Sequence, residues 1–159
     1  MNTAEDEKFM RMTFELAESN VKLLAGGPFG AIIVKDGKII ASSANQVVKS
    51  NDPTAHAEIS AIRLACKNLG TYDLQGCTIY TSCEPCPMCL GAIYWARINS
   101  VYFGNSKADA AATGFDDHHI YQELAKPMAE RSLKMTQLLT DEASTAFKLW
   151  RETDAKFDY

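Results

Sequence analysis

The 159 residues predict an α/β domain of three layers, with helices on both faces of a mixed sheet. Three observations carry this. Short apolar runs at 29–34, 39–43, 77–82 and 100–104 read as strands, and longer amphipathic stretches separate them. Helical patterns over 56–69 and 87–96 each join two of these runs, which implies parallel pairing through right-handed crossovers. Each of those helical patterns is headed by a polar motif, His56-Ala57-Glu58 in one case and Cys83-Glu84-Pro85-Cys86-Pro87-Met88-Cys89 in the other, so candidate chemistry collects at helix N-termini.

Taken in order, residues 4–24 carry Met10, Phe14, Ala17, Val21 and Leu24 at alternating steps of four and three, an amphipathic helix that covers a sheet. Gly26-Gly27 ends it. The strands at 29–34 and 39–43 flank Lys35-Asp36-Gly37-Lys38, whose Asp-Gly pair suits a two-residue hairpin turn. Asn45 follows, then a polar loop, Ser50-Asn51-Asp52-Pro53-Thr54, in which Asp52 or Thr54 can start the next helix. Ile59, Ile62, Cys66 and Leu69 mark the buried face of helix 56–69, which Gly70 stops. Leu90, Ile93 and Ala96 do the same for helix 87–96. Residues 109–119 follow neither period. Beyond them, 120–125 reads as a short helix, 133–139 as a fifth and last strand, and 140–156 as a closing helix bearing Phe147 and Trp150.

A hydrophobic content of 47% is enough for one core, and the length suits a single domain over 1–159. With 16 basic against 20 acidic residues and a pI near 5.4, nothing general favours nucleic acid as a partner. No apolar run is long enough to span a bilayer and no signal-peptide core appears, so no membrane partner is expected. Five cysteines, an odd number with two committed to a metal, point to a reducing, cytoplasmic setting. Cys66 and Cys77 fall in helix and strand patterns, where a free cysteine acts as a small apolar group.

His56, Cys86 and Cys89 offer one imidazole and two thiolates, a tetrahedral zinc set whose fourth position is left for water; three protein ligands indicate a catalytic site with one zinc per chain. Pro87 starts a helix from whose first turn both sulfurs face one point, and the helix N-terminus favours thiolate over thiol. Glu58, two residues past His56, is too close to be a comfortable second ligand but well placed to shuttle protons for that water. A redox pair at Cys86 and Cys89 leaves His56 and Glu58 unexplained. An iron–sulfur run would need Cys followed by Pro where Ile93-Tyr94 stand. A structural zinc would ordinarily recruit a fourth protein ligand. Cys83 lies near enough to support the ligands or simply to pack.

His-x-Glu with Pro-Cys-x-x-Cys is the signature of the zinc nucleobase deaminases. The chain resembles the cytidine deaminase-like superfamily and, within it, the bacterial guanine deaminases. Gly26-Gly27-Pro28-Phe29-Gly30, Asn45, residues 50–61, residues 81–97, Gly114-Phe115-Asp116-Asp117 and Tyr159 carry the likeness over nearly the whole chain. The zinc signature selects the superfamily; the Gly-Phe-Asp-Asp stretch and Tyr159 select the subgroup. The resemblance implies a five-stranded sheet and a homodimer that exchanges residues from about 105 to 159. It implies roles for Asn45 and Asp117 at a purine ring, and it raises Phe29, Trp95 and Tyr159 above plain packing as groups that enclose the base. From the residues alone, Asp116 and Asp117 read as a solvated loop.

The reaction expected is zinc-dependent hydrolytic deamination of a small purine base, guanine to xanthine and ammonia, with Glu58 as acid and base and Asp117 as second acidic group. Deamination of cytosine or of tRNA adenosine is the rival within the superfamily. A tRNA enzyme should carry a basic C-terminal helix, whereas the tail sets Glu152, Asp154 and Asp158 against Arg151 and Lys156. The rival from another class is a non-catalytic zinc or redox module.

Overall fold

Helix α1 (Ala4–Lys22) begins with a capping box in which Thr3 and Asp6 satisfy each other's backbone amides. Leu24, at φ 52°, takes the left-handed position after its end, so the helix stops before the Gly26-Gly27 pair that the sequence nominates. The computed structural model describes residues 3–115 and 117–154. The chain divides into two compact units, one ending at His118 and the other beginning at His119.

In the first unit, β1 (Gly30–Lys35) and β2 (Lys38–Ala44) form the expected hairpin, with Asp36 and Gly37 both at positive φ as a tight type I′ turn requires. A short α2 (Val47–Ser50) leads to α3 (Ala57–Leu69), capped by Gly70 in the left-handed region. β3 (Cys77–Cys83), α4 (Pro87–Trp95) and β4 (Ser100–Asn105) follow, then α5 (Lys107–Ala112). The sheet runs β2-β1-β3-β4. β1 is antiparallel to both of its neighbours, and β3 pairs parallel with β4 across the α4 crossover. The other crossover, through α3, joins strands that run the same way but have β1 between them, so only one of the two expected parallel pairs exists.

Helix α1 lies on one face of the sheet, where Phe9, Ile32, Val34 and Tyr80 form one core. α3 and α4 cover the other face, where Ile33, Ile79, Ala61, Ala65, Leu74 and Ile93 form a second. The buried stripe of α1 is Phe9, Thr13, Ala17 and Asn20, rotated by one residue from the stripe that hydrophobicity picks out; Val21 and Leu24 are exposed. Close approach decides this. A Cβ on Gly30 would sit 2.4 Å from the Thr13 carbonyl and 3.2 Å from the Ala17 amide. The helix backbone therefore rests on β1, which needs small side chains at the contact.

The second unit contains α6 (His118–Ala125) from its second residue, a 3₁₀ turn (Met128–Glu130) and α7 (Thr140–Glu152). Glu123 ties it locally, accepting from Lys126 and from the amide and hydroxyl of Ser132. The fifth strand expected at 133–139 is absent: the described residues form a four-stranded sheet. That run alternates apolar and polar residues only over Leu133 to Thr136, Thr136 is its only β-branched member, and Leu139 sits at φ 52° as the N-cap of α7, a conformation no strand allows. Among the described residues no helix is long and apolar enough to cross a membrane.

Candidate active site

His56 is the N-cap of α3 and Cys86 the N-cap of α4, both with extended backbone and neither with a side-chain capping bond. Their side chains turn toward each other instead of back on their own helices. Asp52 and Thr54, the expected helix starters, bond to one another, with the Asp52 carboxylate accepting from both the amide and the hydroxyl of Thr54. Two helix N-termini thus point their unsatisfied amides and partial positive charge at one place, beside the C-terminal ends of β3 and β4.

At that place Cys86 Sγ lies 3.6 Å and Cys89 Sγ 3.5 Å from His56 Nδ1, and the three ligand atoms fall within 4.8 Å of one another. The donor set can be tested against zinc. With Zn–S near 2.3 Å and Zn–N near 2.05 Å, a tetrahedral edge from sulfur to nitrogen is about 3.6 Å. Both observed sulfur–nitrogen edges match, so the donor set fits the ion.

Electrostatics agrees. The Cys86 thiol is drawn down to about 4, first by the bond from the Cys89 thiol and then by His56. Cys89 is pushed up, first because it donates to Cys86 and then by burial. The two sulfurs thus favour one thiolate between them, at Cys86, and a bound dication would supply the charge that frees the second proton. The Cys86 thiolate also raises the pKa of His56.

Glu58 is 8% exposed, and burial raises its carboxyl above the usual range. It lies within reach of Cys86, Cys89 and His56. Asp117 is half-buried, and its charge acts on both His56 and Cys83, so this side chain reaches the cluster. Phe115 explains how: its ring meets Phe29 edge-on, centroids 4.9 Å apart at 86°. Phe29 also packs on the α3 side of the core.

Cys83 is not a ligand. Its thiol donates to the Ser106 carbonyl at 3.6 Å and is pushed up to about 11, by burial first and then by the charges of Glu58 and Asp117. Asn45 is buried just past β2. Trp95, 68% exposed, ends α4 about 9 Å farther along the helix axis than Cys89. Asp116 and Tyr159 lie outside the described residues. Sequence reasoning missed Phe115 as the clasp on Phe29, and Asn20, whose signal was a polar amide on the buried stripe of α1.

Residues 3–105 match the cytidine and deoxycytidylate deaminase zinc-binding region. The chain is 53% identical to guanine deaminase from Bacillus subtilis over 153 residues, 96% of this chain and 98% of that protein. The X-ray structure of a Bacillus subtilis guanine deaminase superposes with a TM-score of 0.94 at 52% identity, covering 100% of this chain and 99% of the other. A tRNA-specific adenosine deaminase from Haemophilus influenzae is 39% identical over 153 residues, covering 92% of this chain and 86% of its own.

Proposed function

The chain belongs to the cytidine and deoxycytidylate deaminase zinc-binding family, and from that premise we propose that it deaminates a free purine base hydrolytically, turning guanine and water into xanthine and ammonia. The observation that carries this reading is the likeness to Bacillus subtilis guanine deaminase along the whole chain, second unit included. The tRNA deaminases share the zinc signature, but at lower identity.

His56, Cys86 and Cys89 would hold one zinc, which would supply the Lewis acidity that makes water a nucleophile near neutral pH. As the water oxygen bonds to the purine carbon bearing the amine, Glu58 takes the proton that water loses and hands it to the adjacent ring nitrogen. Glu58 then takes the second proton from the newly added hydroxyl and delivers it to the amine, so that the C–N bond breaks as the carbonyl forms, giving ammonia. Burial suits Glu58 to this double duty, because a carboxylate whose pKa is raised is a stronger base toward the proton that water loses than an ordinary one. Asp117 takes the second acidic role near the departing amine, and Asn45 contacts the ring. Phe29 and Trp95 remain the aromatic candidates for stacking on the base, and Tyr159 for covering it.

We further propose that the chain works as a homodimer in the reducing cytoplasm, exchanging residues from about 105 to 159. The exposed Leu133, Leu138, Phe147 and Leu149 of the second unit support the dimer, since such side chains are normally covered. The five free cysteines support the compartment.

The test of function is ammonia release from a panel of bases, nucleosides and tRNA by the metal-replete protein. Guanine should be fastest. Cytosine or tRNA adenosine in first place would overturn the assignment while leaving the zinc chemistry intact.

A further inference from the structure

We propose that Asn20, on the far side of the sheet from the metal ligands, is a positioning residue that fixes Asn45 for recognition of the base; this rests on the reading that Asn45 contacts the substrate.

The buried stripe of α1 runs Phe9, Thr13, Ala17, Asn20. The first three are apolar or satisfied within the helix. Asn20 is an amide at 8% exposure, and a buried amide must find partners. Its Nδ2 donates to two carbonyls from separate segments, Gly27 O at 2.8 Å and Asn45 O at 3.0 Å. One side chain therefore ties the end of α1 to the turn before Phe29 and to the residue that follows β2.

Asn45 is held from three directions. Its backbone amide donates to Phe29 O at 3.0 Å, its carbonyl accepts from Asn20, and its side-chain Oδ1 accepts from the Val47 amide at 3.2 Å. The last bond settles which way the amide faces, because a backbone N–H must meet the oxygen and not the NH₂. Among the described residues nothing accepts from Asn45 Nδ2. The group left for a ligand is thus a donor of fixed placement, matched to an acceptor on the base, a carbonyl oxygen or unprotonated ring nitrogen, and not to its amine.

Gly26 closes the remaining side. A Cβ there would lie 2.9 Å from Asn45 O, 3.0 Å from Asn20 Nδ2 and 3.2 Å from Asn45 Oδ1. The glycine has no positive φ; it is required by space alone. Asn20, Gly26 and Asn45 form a three-part contact with no room for one methyl group, which holds a recognition group to the tolerance that binding demands.

The test is a double-mutant cycle on the zinc-loaded enzyme, reading kcat and KM for guanine beside zinc content. Asn20→Ala should raise KM about tenfold with zinc content unchanged and kcat altered much less, the pattern of lost binding and not of lost chemistry. In an Asn45→Ala background the same substitution should change kcat/KM by less than about twofold, since the residue it acts through is gone. Gly26→Ala presses on the same contact without deleting a donor and should show the same coupling; it decides the matter if Asn20→Ala does not fold. Additive effects, loss of zinc, or an Asn45→Ala enzyme with unchanged KM would overturn the proposal. Should the wild-type enzyme prefer another base, the guanine reading fails and the cycle is run on that base. The positioning role is then judged by coupling alone.

Discussion

The two units of this chain handle their apolar residues in opposite ways. In the unit ending at His118, Ile32, Ile33, Leu74 and Ile79 have no exposure at all, and two cores sandwich the sheet. In the unit beginning at His119, Leu133 and Phe147 are each 71% exposed, and no described residue is buried in α6, the 3₁₀ turn or α7. Hydrophobic periodicity says that a segment wants burial; it does not say against what. Where burial is completed within the same unit, the pattern translates into a definite element. Where it is not, the pattern still finds the two helices but not what 133–139 does.

The sharpest way to break this contrast is to ask whether the chemistry belongs to the closed unit alone. Glu58→Gln should keep fold and zinc while losing on the order of 10²–10⁴-fold in turnover, because the amide is nearly isosteric but cannot shuttle protons. The measurement is a rate beside a metal assay. Near wild-type turnover in the zinc-loaded variant would remove Glu58 from the mechanism.

The closed unit is also where the sequence was most legible. The hairpin turn at Asp36-Gly37, the helix stop at Gly70 and the convergence of His56, Cys86 and Cys89 all follow from local rules: positive φ at glycine, helix capping, and ligand spacing. The α1 stripe was one residue out because the sheet selects small groups at Thr13 and Ala17 and not the most apolar ones. The segment 133–139 failed for a different reason. Its apolar–polar alternation holds only over Leu133 to Thr136, and a strand also needs a neighbour to pair with, which cannot be read from the run itself. Asp117 was likewise illegible from charge alone, since what brings it in is the contact of Phe115 with Phe29, 86 positions away.

Smaller effects should come from the other end of the chain. Deleting residues 157–159 should leave zinc and fold intact and lower guanine turnover about tenfold, as base–aromatic stacking is worth about 1–3 kcal/mol. Unchanged kinetics would show that these last three residues take no part in covering the base. Phe147→Asp places a charge on the exposed apolar side of α7 and should shift the mass measured by light scattering from dimer toward monomer, with zinc content unaffected. A native protein that is monomeric at every concentration would show that these side chains need no cover.

The smallest effect tests how far closure of the first unit depends on its polar seams. Asp6 accepts from the Tyr80 hydroxyl at 2.6 Å and from the amide and hydroxyl of Thr3 at 2.8 Å each, so one carboxylate both caps α1 and ties it to the middle of β3. Those bonds, Tyr80 first and Thr3 next, hold its carboxyl below the ordinary 3.8. A carboxylate whose pKa is lowered by folding stabilises the fold above its unfolded value and loses that contribution as pH falls through the lowered one. Asp6→Ala should therefore melt only a few degrees below the wild type at pH 7, because the group is open to solvent and water replaces much of what is lost. The gap between the two melting temperatures should narrow below pH 4 and close once Asp6 is protonated in both states. A gap that stays constant down to pH 2 would mean that the carboxylate contributes by packing and not by charge, and that Phe9 and Tyr80, whose rings lie 5.2 Å apart, hold α1 to the sheet without it.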